Sequence, residues 1–219
     1  MKKIFRYISF SLLLMVGSLA FAEDGYTVGS EAVPGEGYNV ISPAQPTQTG
    51  DKIEVLEIFW YACPHCYDFE PYVKEWLASK PDDVTFRRMP GIFRKSWIPH
   101  AKAFFTAEKM GLLDEIHSSL FDAIHKQRKK IHDDAAIKKF FVKQGVDKAE
   151  FTKIYESEEI DTKAKQAFVM GQRYKVTGVP AIIVNGKYMV SGSTAGSFEN
   201  VLKITDSLVD KERASTESE

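Results

Sequence analysis

The spacing of apolar residues identifies a strand, a helix and a second strand in the N-terminal half of the chain. Residues 52–61, KIEVLEIFWY, are nearly continuous in apolar residues, many of them β-branched or aromatic, which is typical of a strand covered on both faces. The next segment, PHCYDFEPYVKEWLAS, opens with a proline suited to a first helical turn. Its apolar residues follow at helical spacing at Cys66, Phe69, Val73, Trp76 and Leu77. A second strand runs from Val84 to Met89, so the pattern predicts a strand-helix-strand unit with both cysteines of the chain at the strand-to-helix turn.

The second half of the chain has helical spacing first and strand spacing afterwards. Residues 96–174 are helical throughout by this criterion, for example at Leu112, Ile116, Leu120 and Ile124. The segments AIIV and KYMV are then joined by Asn185-Gly186, a sequence that favours a tight type I′ hairpin turn, and Ser197 to Val209 predicts a last helix. We therefore predict an α/β fold in which an all-helical insertion interrupts a smaller domain. The predicted parts are residues 51–95 and 172–210 for that domain and residues 96–171 for the insertion.

Both ends of the chain have the composition of segments outside the fold. Residues 1–22 contain three basic residues, a short apolar run and the small-residue pattern Ala20-Phe21-Ala22, which signal peptidase recognises. The apolar run is shorter than the roughly 20 residues of a membrane-spanning helix, so we predict a cleaved signal peptide and an exported protein. Residues 23–50 predict an N-terminal arm with one short strand, Tyr38 to Ile41, and the charged residues 211–219 predict a disordered tail.

The net charge argues against one class of partner. The chain has 29 basic and 30 acidic residues, and removal of the signal peptide leaves 26 basic residues against 30 acidic ones, a net charge of −4. This balance argues against nucleic acid as a partner. The remaining chain is also long enough to bury a core without a disulfide scaffold, so its two cysteines are not needed as structural links.

The two cysteines have the spacing of a redox-active pair. Cys63 lies at the predicted helix start, where unpaired backbone N–H groups and the positive end of the dipole favour a thiolate, so we interpret it as the nucleophile. Cys66 lies inside the first turn on the same side, where it closes the disulfide and resolves mixed disulfides. His65 brings an N–H group or a positive charge to the sulfur, and Pro64 fixes the backbone. Export places the pair in an oxidising compartment, and the loop it closes is too small for a structural disulfide of much benefit.

A zinc site is the alternative use of two cysteines at this spacing. No second cysteine pair and no closely spaced histidine pair completes the four ligands that structural zinc requires. His117 and His125 are two helical turns apart with Phe121 between them, and we interpret them as packing or solvated side chains. We expect no metal.

Several segments together resemble the DsbA family of secreted thiol:disulfide oxidoreductases. These are VLEIFWYACPHCYDFEP, the later VTGVPAIIVNGKY and the helical block between them, and the resemblance covers about residues 52–209. It implies a thioredoxin-like fold with an inserted all-helical subdomain. It also implies that Cys63 passes its disulfide to exported proteins with free cysteines, that a quinone-linked membrane protein similar to DsbB reoxidises the pair, and that no organic cofactor is needed. We expect a monomer and, in a bacterium with two membranes, a periplasmic location.

The resemblance also assigns roles to three residues outside the motif. It implies a cis bond between Val179 and Pro180, next to the cysteines, with the Val179 backbone pairing with an extended substrate. From the residues alone, an ordinary turn entering the next strand is the preferred alternative. Glu57 is implied to lie beneath the disulfide and to move the proton of the buried thiol. The alternative is a glutamate at a strand end that reaches solvent or a lysine.

Two other functions fit the same residues. A reductase or isomerase uses the same chemistry, although the chain has no obvious room for a dimerisation domain and the histidine of the motif favours oxidation. A peptide-binding chaperone with an incidental Cys-Pro-His-Cys would keep its function when Cys63 is replaced by serine.

Overall fold

The computed structural model describes residues 29–32 and 36–216. The strands in these residues are β1 (Gly29–Ala32), β2 (Tyr38–Ser42), β3 (Ile53–Phe59), β4 (Val84–Pro90), β5 (Ala181–Val184) and β6 (Tyr188–Ser191). The helices are α1 (Pro64–Ser79), α2 (Ile98–Lys109), α3 (Leu113–His125), α4 (Asp134–Lys143), α5 (Lys148–Tyr155), α6 (Glu158–Arg173), α7 (Gly192–Ala195) and α8 (Phe198–Thr216), with one 3₁₀ turn, Lys95–Trp97, before α2. The predicted signal peptide, residues 1–22, lies outside the described residues.

The strands form one mixed sheet in the order β1-β2-β6-β5-β3-β4. β3 and β4 are parallel because α1 crosses between them, and the other neighbouring pairs are antiparallel. All seven residues of β3 are buried, as its continuous apolar run predicts. The predicted tight turn between β5 and β6 is confirmed: Asn185 and Gly186 have φ values of 48° and 66°, and the Lys187 amide donates to the Val184 carbonyl at 2.9 Å.

Three apolar clusters hold the layers together. The cluster between the sheet and the helices α1 and α8 contains Val55, Phe69, Val73, Ile182, Val201 and Leu208. The cluster on the opposite face of the sheet contains Ile41, Leu56, Ile58, Tyr174, Ile183 and Met189. The third lies in the helical block α2–α6, among Phe104, Leu120, Phe121, Ile137, Phe141 and Ile160, and it also includes Phe59, Tyr61, Cys63 and Cys66. The helical block and the turn that carries the cysteines therefore share one core.

The C-terminal segment differs from its prediction. The sequence predicts disorder for residues 211–219, whereas α8 continues to Thr216. Glu212 is only 3% exposed, and its carboxylate accepts hydrogen bonds from Asn185 Nδ2 at 2.6 Å and from Lys187 Nζ at 2.7 Å. Arg213 extends to the carboxylate of Asp83 at 2.7 Å. These contacts hold the end of α8 in place. Their partners lie far back along the chain, on the β5–β6 turn and before β4, so the local sequence does not reveal them.

The N-terminal arm is also more regular than expected. The sequence predicts one strand in residues 23–50, and the described part has two, because β1 pairs with the predicted strand β2 at the edge of the sheet. The Gln45 amide donates to the Gly186 carbonyl at 2.9 Å, which ties the end of the arm to the hairpin turn. None of the helices within the described ranges combines the length and apolar character that crossing a bilayer requires.

Candidate active site

Cys63 and Cys66 lie where β3 gives way to α1. The helix begins at Pro64, and Cys63 is its N-cap residue, with an extended backbone (φ −82°, ψ 117°). The Cys63 amide donates to the Trp60 carbonyl at 2.9 Å, which closes the turn ahead of the helix. Pro64 and His65 are exposed on the outer side of this turn. The first-turn backbone amides of α1 are therefore available to the sulfur of Cys63.

The two cysteines are free thiols in environments that push their pKa values apart. Cys63 is 8% exposed, and a hydrogen bond from the Cys66 thiol, followed by bonds from the backbone amides of Cys66 and His65 and by the charge of His65, lowers its pKa to about 6 against the opposing effect of burial. Cys66 is fully buried, and burial together with the negative charge on Cys63 raises its pKa far above the ordinary range. At neutral pH the pair therefore holds one thiolate, on Cys63, and one thiol, on Cys66.

The loop before β5 lies against Cys63. The peptide bond between Val179 and Pro180 is cis, and the Cys63 Sγ donates, as a thiol, to the Val179 carbonyl oxygen at 3.4 Å. An open cavity of about 640 Å³ borders this loop, with His65, Val179, Pro180, Met189 and Phe198 in its lining. The structure thus brings both predicted substrate-binding residues together with the predicted nucleophile.

Glu57 is 0% exposed and lies close enough to Cys66 for its charge to raise the pKa of that thiol. Its direct neighbour across the parallel β3–β4 ladder is Arg88, whose Nε donates to Glu57 Oε2 at 2.9 Å, while Oε1 has no hydrogen-bond partner. Burial raises the pKa of Glu57 to about 7, against the lowering effect of Arg88 and with a further rise from the charge of Glu70. The alternative of a glutamate that reaches solvent or a lysine is therefore wrong, because this carboxyl is enclosed and its partner is an arginine.

Three further residues, His117, Tyr61 and Glu70, extend this group, and no sequence pattern assigned them to the site. His117 is 5% exposed, and its ring lies 3.1 Å from Tyr61 Oη through Nδ1 and 3.1 Å from Glu70 Oε1 through Nε2. The Nη2 of Arg88 reaches Glu70 at 3.3 Å, so one guanidinium serves two carboxyl groups. His117 does pack against aromatic rings as predicted, but it also makes these two polar contacts. The available signal was a charged residue in each of the two neighbouring strands β3 and β4, at Glu57 and Arg88.

Other histidines and tryptophans near the pair have local partners. His125 Nε2 donates to the Tyr61 carbonyl at 2.8 Å, and its ring stacks on Tyr67. The indole rings of Trp60 and Trp97 stack at 3.9 Å with an interplanar angle of 4°. Within residues 29–32 and 36–216, no group of three or more His, Cys, Asp or Glu side chains is arranged to hold a metal ion.

A family model and several curated relatives of this chain identify the same kind of protein. The model of the DSBA-like thioredoxin domain matches residues 88–199. The thiol:disulfide interchange protein DsbA of Pseudomonas aeruginosa is 41% identical over 212 residues, covering 95% of this chain and 98% of that protein, and DsbA of Burkholderia cepacia is 34% identical over 91% of this chain and 93% of that protein.

Solved structures agree with this result. The crystal structure of Pseudomonas aeruginosa DsbA superposes with a TM-score of 0.78 at 40% identity, over 89% of this chain and 98% of that chain. The structure of the oxidoreductase DsbA from Xylella fastidiosa gives a TM-score of 0.77 at 34% identity, over 84% and 98% of the two chains. The predicted thioredoxin-like fold with its inserted helices is confirmed.

Proposed function

Because the chain belongs to the DsbA family of thiol:disulfide interchange proteins, we propose that its Cys63–Cys66 pair donates a disulfide to exported proteins that hold free cysteines. The chain is a thiol:disulfide oxidoreductase, as its full-length relatives are. The observation that carries the direction of transfer is the opposition between the two thiols. The pKa of Cys63 is lowered to about 6 and that of Cys66 is raised, so the reduced pair contains a stabilised thiolate. A pair whose reduced form is stabilised gives its disulfide away.

The reaction proceeds in two exchanges. A thiolate of the client protein attacks the sulfur of Cys63, a mixed disulfide forms, and the Cys63–Cys66 bond breaks with its electron pair on Cys66, which takes up a proton. A second client thiolate then attacks the client sulfur of the mixed disulfide, and Cys63 leaves as a thiolate. Two electrons have then passed from the client to the pair. Glu57, whose pKa of about 7 lets it hold a proton near neutral pH, is the group we assign to supply the proton of Cys66.

The groove beside the cis peptide is where we place the client. The Val179 backbone lies next to Cys63, and an extended client segment can pair with it as an added strand does. The apolar Met189 and Phe198 supply lining for client side chains, and Pro180 fixes the loop. Exposed His65 and Pro64 border the path of the attacking thiolate. These contacts support binding through the backbone with little selection of client sequence.

Continued turnover needs an oxidant for the reduced pair. We propose a quinone-linked membrane protein similar to DsbB in this role, acting in the periplasm after export of the chain. The thiolate of Cys63 then attacks a disulfide of that partner, and Cys66 closes the pair after losing its proton.

The lowered pKa of Cys63 raises the reduction potential of the pair by an amount that can be calculated. A pKa of about 6 instead of about 8.5 stabilises the reduced pair at pH 7 by about 1.4 kcal/mol, or about 30 mV for two electrons. A characterised DsbA, a relative of this chain, and thioredoxin lie at about −120 and −270 mV, so the gap is about 150 mV. The lowered pKa alone therefore does not account for this gap, and a measured potential includes all other differences in stability between the two redox forms.

The test is the reduction potential of the Cys63–Cys66 pair in the purified mature protein, equilibrated with glutathione buffers at pH 7. We expect a value near about −120 mV, the range of a disulfide donor. A value near about −270 mV would mean that the pair works as a reductant, and the donor assignment would be withdrawn.

Two serine variants separate the remaining alternatives. Cys66→Ser should accumulate mixed disulfides with a reduced dithiol peptide, because the resolving thiol is gone, and Cys63→Ser should abolish transfer. If Cys63→Ser still supports the maturation of exported proteins, the chain acts as a chaperone and its motif is incidental.

A further inference from the structure

Beneath the cysteines, one cation is shared by two carboxyl groups of unequal burial. Arg88 contacts Glu57 at 2.9 Å and Glu70 at 3.3 Å. The side chain of Glu57 is 0% exposed and that of Glu70 is 22% exposed. If both carboxyl groups were ionised, the cluster would carry a net negative charge in a buried place, which is costly. One of the two therefore tends to hold a proton near neutral pH.

The partners of His117 decide which carboxyl group is ionised. Burial of the phenol raises the pKa of Tyr61, so its hydroxyl keeps its proton and donates to the His117 Nδ1. Burial also lowers the pKa of His117, so the ring is neutral and carries its one proton on Nε2. That proton is donated to Glu70 Oε1 at 3.1 Å. Glu70 thus receives hydrogen bonds from two sides, whereas Glu57 has Arg88 alone.

We propose that His117 is a positioning residue for the acid beneath the disulfide: by donating to Glu70, it keeps Glu70 ionised against Arg88 and leaves the proton of the cluster on Glu57. This rests on the proposed function, in which Glu57 gives that proton to Cys66. Tyr61 acts one step further away, because its hydroxyl fixes the tautomer of His117.

The charged and titratable groups around these two side chains are few. Glu57 faces Arg88 from β4, Glu70 and Cys66 from α1, and Tyr61 from the turn before α1. Its neighbour on the β5 side is the apolar Ile182.

His117 faces Glu70, Arg88 and Tyr61, and Asp114, one turn earlier on its own helix, adds a further negative charge. The rings of Phe59, Phe104 and Phe121 also pack against His117. A change at His117 therefore alters the protonation of Glu57 through the contacts of Glu70 with Arg88 and of Arg88 with Glu57.

The test is a titration of Glu57 by NMR in the full mature chain with ¹³C-labelled glutamate side chains. The oxidised protein is used because no thiol then titrates in the same range, and the Glu57 signal is identified by its loss in Glu57→Gln. We expect a Glu57 midpoint near pH 7 in the unaltered protein. In His117→Phe we expect this midpoint to be lower by about one pH unit. Glu70 then takes up the proton more readily, and Arg88 is left to stabilise the Glu57 carboxylate alone. Phenylalanine fits the aromatic surroundings, and His117→Gln, which keeps an N–H group for Glu70, should stay close to the unaltered midpoint.

A double-variant cycle shows whether the effect passes through Glu70. Glu70→Gln alone should lower the Glu57 midpoint in the same direction, and adding His117→Phe to it should change nothing further. A Glu57 midpoint in His117→Phe equal to that of the unaltered protein would overturn the proposal, and so would a full additional shift in the Glu70→Gln background. If His117→Phe does not fold, His117→Leu, which also lacks the N–H group, takes its place with the same expected result and the same contrary result.

A kinetic measurement connects this titration to turnover. The rate of oxidation of reduced glutathione, divided by the concentration of glutathione thiolate at each pH, should fall as Glu57 loses its proton, and this fall should begin at a lower pH in His117→Phe than in the unaltered protein. An unchanged rate profile together with a shifted NMR midpoint would contradict the role of Glu57 as proton source, and would leave the control of Glu57 by His117 intact.

Discussion

At the scale of single residues, two cysteine side chains have pKa values shifted in opposite directions. Cys63 and Cys66 are three residues apart, yet the pKa of the first is lowered and that of the second is raised. The difference comes from their positions in one helical turn. The Cys63 sulfur accepts hydrogen bonds from the amides at the start of α1 and from the Cys66 thiol, which lower its pKa, whereas burial and the negative charge on Cys63 raise the pKa of Cys66. The effects of the amides and of His65 were expected from the sequence, but the largest lowering effect on the pKa of Cys63 is the hydrogen bond from the Cys66 thiol.

The pH dependence of the reduction potential tests this opposition. Below the pKa of Cys63, about 6, reduction of the disulfide takes up two protons, and above it only one. We therefore expect a slope of about −59 mV per pH unit at low pH that changes to about −30 mV per pH unit above about pH 6. A slope of about −59 mV per unit that continues to pH 8 would contradict a Cys63 thiolate at neutral pH.

The same shift predicts a difference in stability between the two redox forms. The native pKa of Cys63 lies below its unfolded value, so between about pH 6 and about pH 8.5 the unfolded reduced chain binds more protons than the native one. The reduced form therefore gains stability relative to the oxidised form as the pH rises through this window, and loses that advantage as the pH falls through about 6. Parallel urea unfolding of both forms measures the difference.

At the scale of elements, the last helix depends on charges that look like those of a disordered tail. Replacing Glu212 with alanine leaves Asn185 and Lys187 without their buried acceptor, and we expect the free energy of unfolding to fall by about 1 to 3 kcal/mol. Arg213→Ala is the matched comparison, because its ion pairs with Asp83 and Asp210 are exposed and should contribute less than about 1 kcal/mol. Urea unfolding of the two variants measures both values, and equal losses would mean that burial of Glu212 contributes nothing specific.

The elements that could be predicted are those whose residues form a recognisable pattern within a short segment of the sequence. The run before Cys63 predicts β3, the apolar stripe through Phe69 and Val73 predicts the buried face of α1, and Asn185-Gly186 predicts the hairpin turn. β1 could not be predicted, because its existence depends on pairing with β2 at the edge of the sheet.

The same limit applies to the site. Both cysteines follow from their spacing and the helix start, and the resemblance to DsbA proteins supplied Glu57, Val179 and Pro180. The contacts of His117 with Tyr61 and Glu70 join residues 56 and 47 positions apart in the chain, so no local pattern contains them. A parallel alignment of β3 with β4 would have suggested the pairing of Glu57 with Arg88, since it places these two opposite charges side by side.

At the scale of the whole molecule, the inserted helices and the sheet are joined through the redox site. Both cysteines belong to the cluster that contains Leu120 and Phe121 of the helical block. We therefore expect one cooperative unfolding transition, with the same midpoint by tryptophan fluorescence and by far-ultraviolet circular dichroism. Leu120→Ala should shift both signals together and lower stability by about 2 to 5 kcal/mol. A helical signal lost at lower denaturant than the tryptophan signal would show that the insertion is an independent folding unit.

The stacked indoles of Trp60 and Trp97 join the turn before the cysteines to the start of the helical block. Parallel aromatic rings this close share their electronic excitation, and the backbone carbonyl of Trp60 accepts the amide hydrogen bond of Cys63. We therefore expect the circular dichroism of this indole pair to respond to any shift of the turn when the disulfide forms or breaks. If the signal differs between the oxidised and reduced proteins, the redox state can be followed by light in real time without a dye or a trapping reagent.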